Sequence, residues 1–194
     1  MFGFLQSKRR TTLETARNLY DLIMDASRQK WFYKDGMVPD TVEGRFEILT
    51  LHVGLVVNRL CKPDMGKEGR VLAQTLFDVM FRNLDWSLRE MGVGDLAVPR
   101  RVKKMMESFK GRTFAYDEAL KSGSGEIKHA LIRNMYGKVA EPHAAQLDVM
   151  ADYVQGCADK LDKQGLSDFW MGRVYFSPVP TSTSQERNDY KQAA

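Results

Sequence analysis

The chain has 194 residues, 43% hydrophobic and 28% charged, enough to build one domain with a real core and too apolar to be disordered along its whole length. Its 29 basic and 25 acidic residues are interspersed and leave a net charge of +4, which argues against a dedicated nucleic-acid binder with a strong global field and makes any basic patch local. The longest apolar stretch, near Ile48 to Val57, is interrupted by Thr50, His52 and Gly54 and falls short of the roughly 18 to 20 residues a membrane span needs.

The chain opens on Met1-Phe2-Gly3-Phe4-Leu5 followed by Lys8-Arg9-Arg10. This order is the reverse of a secretory signal, so export is not expected, and the segment over residues 1–10 reads as a weak interfacial anchor. Leu13, Ala16, Tyr20 and Ile23 then repeat at helical spacing, which predicts a first helix from an N-cap at Thr11 or Thr12 to about Gln29. Lys34 to Thr41 reads as a loop. Phe46, Leu49, Val53, Val56 and Leu60 trace the apolar stripe of a second helix ending near Lys62-Pro63.

From Arg70, residues Leu72, Leu76, Val79, Met80, Leu84, Leu88 and Met91 keep the same period to Gly92 and predict a long central helix. Pro99 suits the first turn of the next, with Val102, Met105, Met106 and Phe109 inward and Gly111 as a place to bend or break before Tyr116 and Leu120. Ser122 to Gly125 reads as a linker. Ile127, Leu131 and Met135 give a short helix, and Pro142 opens a last long one with Leu147, Met150, Val154, Cys157 and Leu161 alternating spacings of three and four. Phe169, Trp170 and Met171 are expected to dock back onto the body. Past Ser177 the composition turns to Pro, Ser, Thr, Gln and Asn. The expected architecture is all-α: a single multi-helix, bundle-like domain over residues 11–176 and a disordered tail over residues 177–194.

Few residues suggest chemistry. Glu126 and His129 form a Glu-x-x-His pair, but a di-iron bundle needs a second such pair and two more glutamates, and the sequence supplies neither. His52 and His143 have no carboxylate at ligand spacing. His52 reads as a hydrogen-bonded core histidine, since no nucleophile can be named for it to activate. Cys61 and Cys157 lie far apart without metal-ligand spacing and read as idle thiols. Gly92-Val93-Gly94 joins two helices and follows no strand, so it is no phosphate loop.

Two surface features stand out. Arg100, Arg101, Lys103, Lys104, Lys110 and Arg112 project mostly opposite the apolar stripe of their helix, which makes a basic docking face for RNA, acidic lipid or an acidic partner. Trp31-Phe32-Tyr33, three consecutive aromatics that cannot all point one way, form with Val38 and Pro39 a candidate ledge for an apolar client. The chain holds 11 methionines, and Met80, Met91, Met105 and Met106 serve either core filling or adaptable binding.

Longer words carry a resemblance. Trp31-Phe32-Tyr33, Val38-Pro39-Asp40-Thr41, Gly44-Arg45-Phe46-Glu47 and Leu51-His52, then Leu76-Phe77-Asp78, Leu88-Arg89-Glu90-Met91-Gly92-Val93-Gly94-Asp95 and Val98-Pro99-Arg100-Arg101-Val102-Lys103-Lys104-Met105, with Phe109, Gly111-Arg112 and Tyr116, resemble the ubiquinol-cytochrome c chaperone family over roughly residues 15 to 175. The resemblance implies a non-enzymatic assembly factor, without cofactor or metal, whose client is newly made cytochrome b. It leaves the ribosome or a small partner chaperone as further partners and includes no DNA. Without a long presequence the chain looks like a bacterial member, expected in the cytoplasm and peripheral at the inner membrane. The family brings no catalytic motif, so the roles of the ledge and the basic face rest on the residues themselves. A helical RNA or ribosome binder, or a metal- or haem-using helical enzyme built on His52, Glu126 and His129, is the alternative.

Overall fold

The computed structural model describes residues 2–137 and 144–180, with side chains from Arg10 onward. Among these residues every regular element is helical: α1 (Phe2–Ser27), α2 (Lys30–Lys34), α3 (Val42–Leu60), a 3-10 turn (Pro63–Met65), α4 (Gly66–Glu90), α5 (Val98–Ser122), α6 (Ser124–Leu131) continued by a π-turn (Ile132–Tyr136), α7 (Ala144–Asp162) and α8 (Leu166–Trp170).

α3 is the axis of the fold. It is buried nearly all round, from Phe46 to Leu60, because α1, α4, α5 and α7 all pack against it. Its start is set by the Thr41 hydroxyl, which accepts from the Gly44 amide at 3.1 Å. Its end is held by Arg59, a buried guanidinium that donates to Leu161 O at 3.0 Å and Gln164 O at 2.8 Å while pairing with Asp64 at 2.7 Å. One side chain therefore ties the ends of α3 and α7 together. α4 and α5 form an antiparallel hairpin whose rings interlock: Phe109 meets Phe77 and Phe81 with centroids 5.4 and 5.9 Å apart.

Several expectations shift. α1 begins at Phe2, so residues 2–10 are the first turns of a helix rather than a separate segment, and no cap is needed at Thr12, which is buried. Gly111 does not end α5, which runs unbroken to Ser122; the break is Gly123, at φ +107°. The linker expected there shrinks to that residue, since α6 starts at Ser124. Met91 points outward, unlike the rest of its stripe, because α4 has ended one residue earlier. Phe169 is fully buried while Met171 is exposed. Pro142 and His143 lie outside the described residues.

After α8 the chain runs back over α7. The Ser177 amide meets Cys157 Sγ at 3.3 Å, Lys160 Nζ donates to Phe176 O at 3.2 Å, and Phe176 sits edge-on to His52 with centroids 4.9 Å apart. Val179 also packs on the core, so the body continues two residues past Ser177, and residues 181–194 of the expected tail lie outside the described residues.

Candidate functional site

α2 is a single turn, and it carries Trp31, Phe32 and Tyr33 into the body rather than onto its surface. Phe32 is fully buried, edge-on to His52 of α3 and Tyr153 of α7 with centroids 5.5 and 5.3 Å away. Val38 is buried with it, its amide donating to Phe32 O at 2.9 Å. Trp31 is half-buried against Phe32 and Tyr153, and Tyr33 donates its hydroxyl to Ser27 O at 2.9 Å beneath the Arg45 guanidinium. Pro39 is half-buried beside them. The ledge expected of Trp31, Phe32, Tyr33, Val38 and Pro39 is thus the plug that closes α3 onto α7. A ring at the edge of an apolar cleft gains more from burial than from exposure.

His52 belongs to the same plug. Its Nδ1 donates to Ile48 O at 2.8 Å, which leaves Nε2 to accept from the Tyr153 hydroxyl at 2.7 Å. Burial disfavours the imidazolium and pushes the pKa down to about 4. Both nitrogens are held by hydrogen bonds inside the core, so this histidine ties α3 to α7. Glu126 and His129 lie 3.6 Å apart on the exposed face of α6, and among the described residues no three His, Cys, Asp or Glu side chains gather as metal ligands. Cys61 is exposed and Cys157 buried, both as free thiols.

The basic face largely forms. Arg100, Arg101, Lys103, Lys104 and Lys110 are exposed on α5, with no ion pair to any of them among the described residues. Arg112 departs from the set. It stands beside Thr113, which packs against Gly54, and so turns into the α3 seam, where it makes a two-pronged, half-buried pair with Glu47.

Two features were not anticipated from the sequence. A groove of about 600 Å³ runs between α5 and the α6–π-turn unit, with Phe114 68% exposed on its lip and Gly111, Arg133 and Asn134 among its walls. The Asn134 amide nitrogen is buried there without a partner among the described residues. Phe114 could have been found, because it falls roughly 140° from Phe109 on the helix and so off the inward stripe. The second is the α4–α5 turn, where Met91 and Leu96 stand exposed next to the first basic residues.

The body is helical, His52 is locked in its core, and the groove, which Glu107, Glu118 and Glu126 also line, opens beside the basic stretch of α5. The sequence pattern of the ubiquinol-cytochrome C chaperone family matches residues 34–176, and the chain belongs to that family. Among solved structures, the Cbp3 homolog from Brucella abortus is similar over 92% of this chain and 97% of its own, at 33% identity and a TM-score of 0.79. The Drosophila melanogaster ubiquinol-cytochrome c reductase complex assembly factor 1 is 24% identical over 82% of this chain and 62% of its own length. The Saccharomyces cerevisiae mitochondrial protein CBP3 is 27% identical over 84% of this chain. The chain spans less than two thirds of the Drosophila protein and 48% of the yeast one.

Proposed function

We propose that the chain is a non-enzymatic assembly factor that holds newly made cytochrome b on its way into the ubiquinol-cytochrome c reductase complex, working as a peripheral protein at the cytoplasmic face of a bacterial inner membrane. The observation that carries this is the family match, which spans α3 to α8 and so takes in the groove and the basic face together. The relatives bear the names of assembly factors of that reductase complex. Among the described residues no helix is long and apolar enough to cross a membrane, which fits a peripheral station.

The groove between α5 and α6 is the site we assign to the client. Phe114 gives an apolar anchor, Arg133 a charge, and the Asn134 amide a donor for a backbone carbonyl; an apolar segment of a membrane protein, caught before insertion, offers both rings and unpaired carbonyls. Holding and release need no covalent step. A photo-reactive residue at Phe114, with one at exposed Asp152 of α7 as control, tests this in cells making the reductase. Crosslinks to cytochrome b from position 114 alone are expected; equal labelling from both positions, or none, would remove the groove, and absence of cytochrome b from the isolated protein would remove the client.

A further inference from the structure

The end of the α4–α5 hairpin is ordered and yet presents what a core would hide. Leu96 is 96% exposed and Met91 53%. The loop carrying them is fixed by Val93 N to Leu88 O at 3.0 Å and Ala97 N to Gly94 O at 2.8 Å, and Val98, two residues on, is fully buried. Leu96 is thus held outward by a defined backbone. Of the acids close by, Asp85 and Asp95 pair with Arg89 at 2.7 and 2.6 Å, which leaves Glu90 as the one exposed carboxylate beside Met91 without an ion pair among the described residues, against four cations on α5.

Immediately behind the apex come Arg100, Arg101, Lys103 and Lys104, within about 10 Å of the start of α5 along its axis. The first turn of α5 has no acidic residue, so its arginines sit against the helix dipole and do nothing for the helix itself. The fold gives no reason for the exposed leucine or for the unpaired cations.

We propose that this hairpin end docks on an anionic lipid bilayer, Leu96 and Met91 entering the headgroup–acyl boundary while the four cations remain at headgroup level. The spacing matches the roughly 5 to 10 Å over which interfacial segments sink their apolar side chains, and the charges complement acidic headgroups. An RNA would take up the cations but leave the apolar apex in water. The inference deepens the peripheral station proposed above, but it concerns lipid alone, so its test is separate from capture of cytochrome b.

The test is flotation of the purified full chain with vesicles of phosphatidylcholine, alone or with roughly one-quarter phosphatidylglycerol. Partition into the anionic vesicles only is expected, with a blue shift of tryptophan emission that disappears in Trp86→Phe, since Trp86 lies one turn before α4 ends and is 61% exposed. Lys103→Gln with Lys104→Gln should lower the partition coefficient about thirtyfold, and Leu96→Ser about tenfold. Both variants alter exposed side chains, and circular dichroism confirms their fold. Equal binding to neutral vesicles, unchanged binding by either variant, or salt-sensitive binding to a homopolymer RNA without flotation would overturn the proposal.

Discussion

His52 shows what one buried side chain contributes. It is neutral in the folded protein, its pKa held near 4 because burial disfavours the charge, whereas in the unfolded chain it titrates near the ordinary value. The folded pKa is the lower of the two, so the unfolded state binds the extra proton as pH falls. Stability is complete above the unfolded pKa and is lost progressively below it. Between pH 7.5 and pH 5 this linkage removes about 2 kcal/mol. Thermal unfolding across that window should show the decline, and His52→Gln should flatten it; an equal slope in the variant would assign the loss to other groups. Arg59 is the second such residue. Arg59→Met would leave the Leu161 and Gln164 carbonyls without their donor and cost about 3 kcal/mol in a urea titration, while Asp64→Asn, at an exposed carboxyl, should cost far less.

At the scale of the helix, glycines at different positions should respond in opposite directions. A Cβ at Gly44 would stand 2.0 Å from Pro39 O, where the loop presses on the first turn of α3, whereas at Gly111 it meets nothing within 4 Å. Gly44→Ala should therefore destabilise by about 2 kcal/mol or more, and Gly111→Ala should stabilise by about 1 kcal/mol, as read by urea midpoints. A gain at position 44 would mean that the loop yields easily. This contrast also explains how the elements could and could not be read from the sequence. The stripes of α3, α4 and α7 were legible because each buries a long face, which fixes the period. The course of α5 was misread at Gly111, since a glycine on an open helix face is tolerated and leaves no mark of that tolerance in the sequence. The three aromatics of α2 were legible as unusual, but their direction depends on a cleft made by His52 and Tyr153, which are themselves 101 residues apart in the chain. The basic face was legible because exposed cations need no partner; the departure of Arg112 from it depends on Glu47 of another helix.

For the whole molecule, the segment after α8 decides how the body is closed. It lies over α7 with Phe176 against His52, Ser177 against Cys157, and so little room that a Cβ on Gly156 would come within 2.7 Å of Ser177 Oγ. Composition alone made Ser177 the start of a tail; what holds residues 173–179 is their contact with Gln164, Lys160 and Cys157, which no local pattern announces. Cys157 offers a direct reading of that closure, because burial pushes its thiol up to about 11 and leaves very little thiolate at pH 8. In a Cys61→Ser background Cys157 is the sole thiol of the chain. Adding Phe176→Ala should loosen the segment, return the thiol towards its ordinary value, and raise the rate of iodoacetamide labelling at pH 8 by up to about a hundredfold. Circular dichroism should show the helices intact, because α1 to α7 keep the rest of their core. If the rate stays the same while the protein remains folded, the cover over Cys157 comes from α7's helical neighbours; if it rises only with global unfolding in urea, the segment and the body open as one unit.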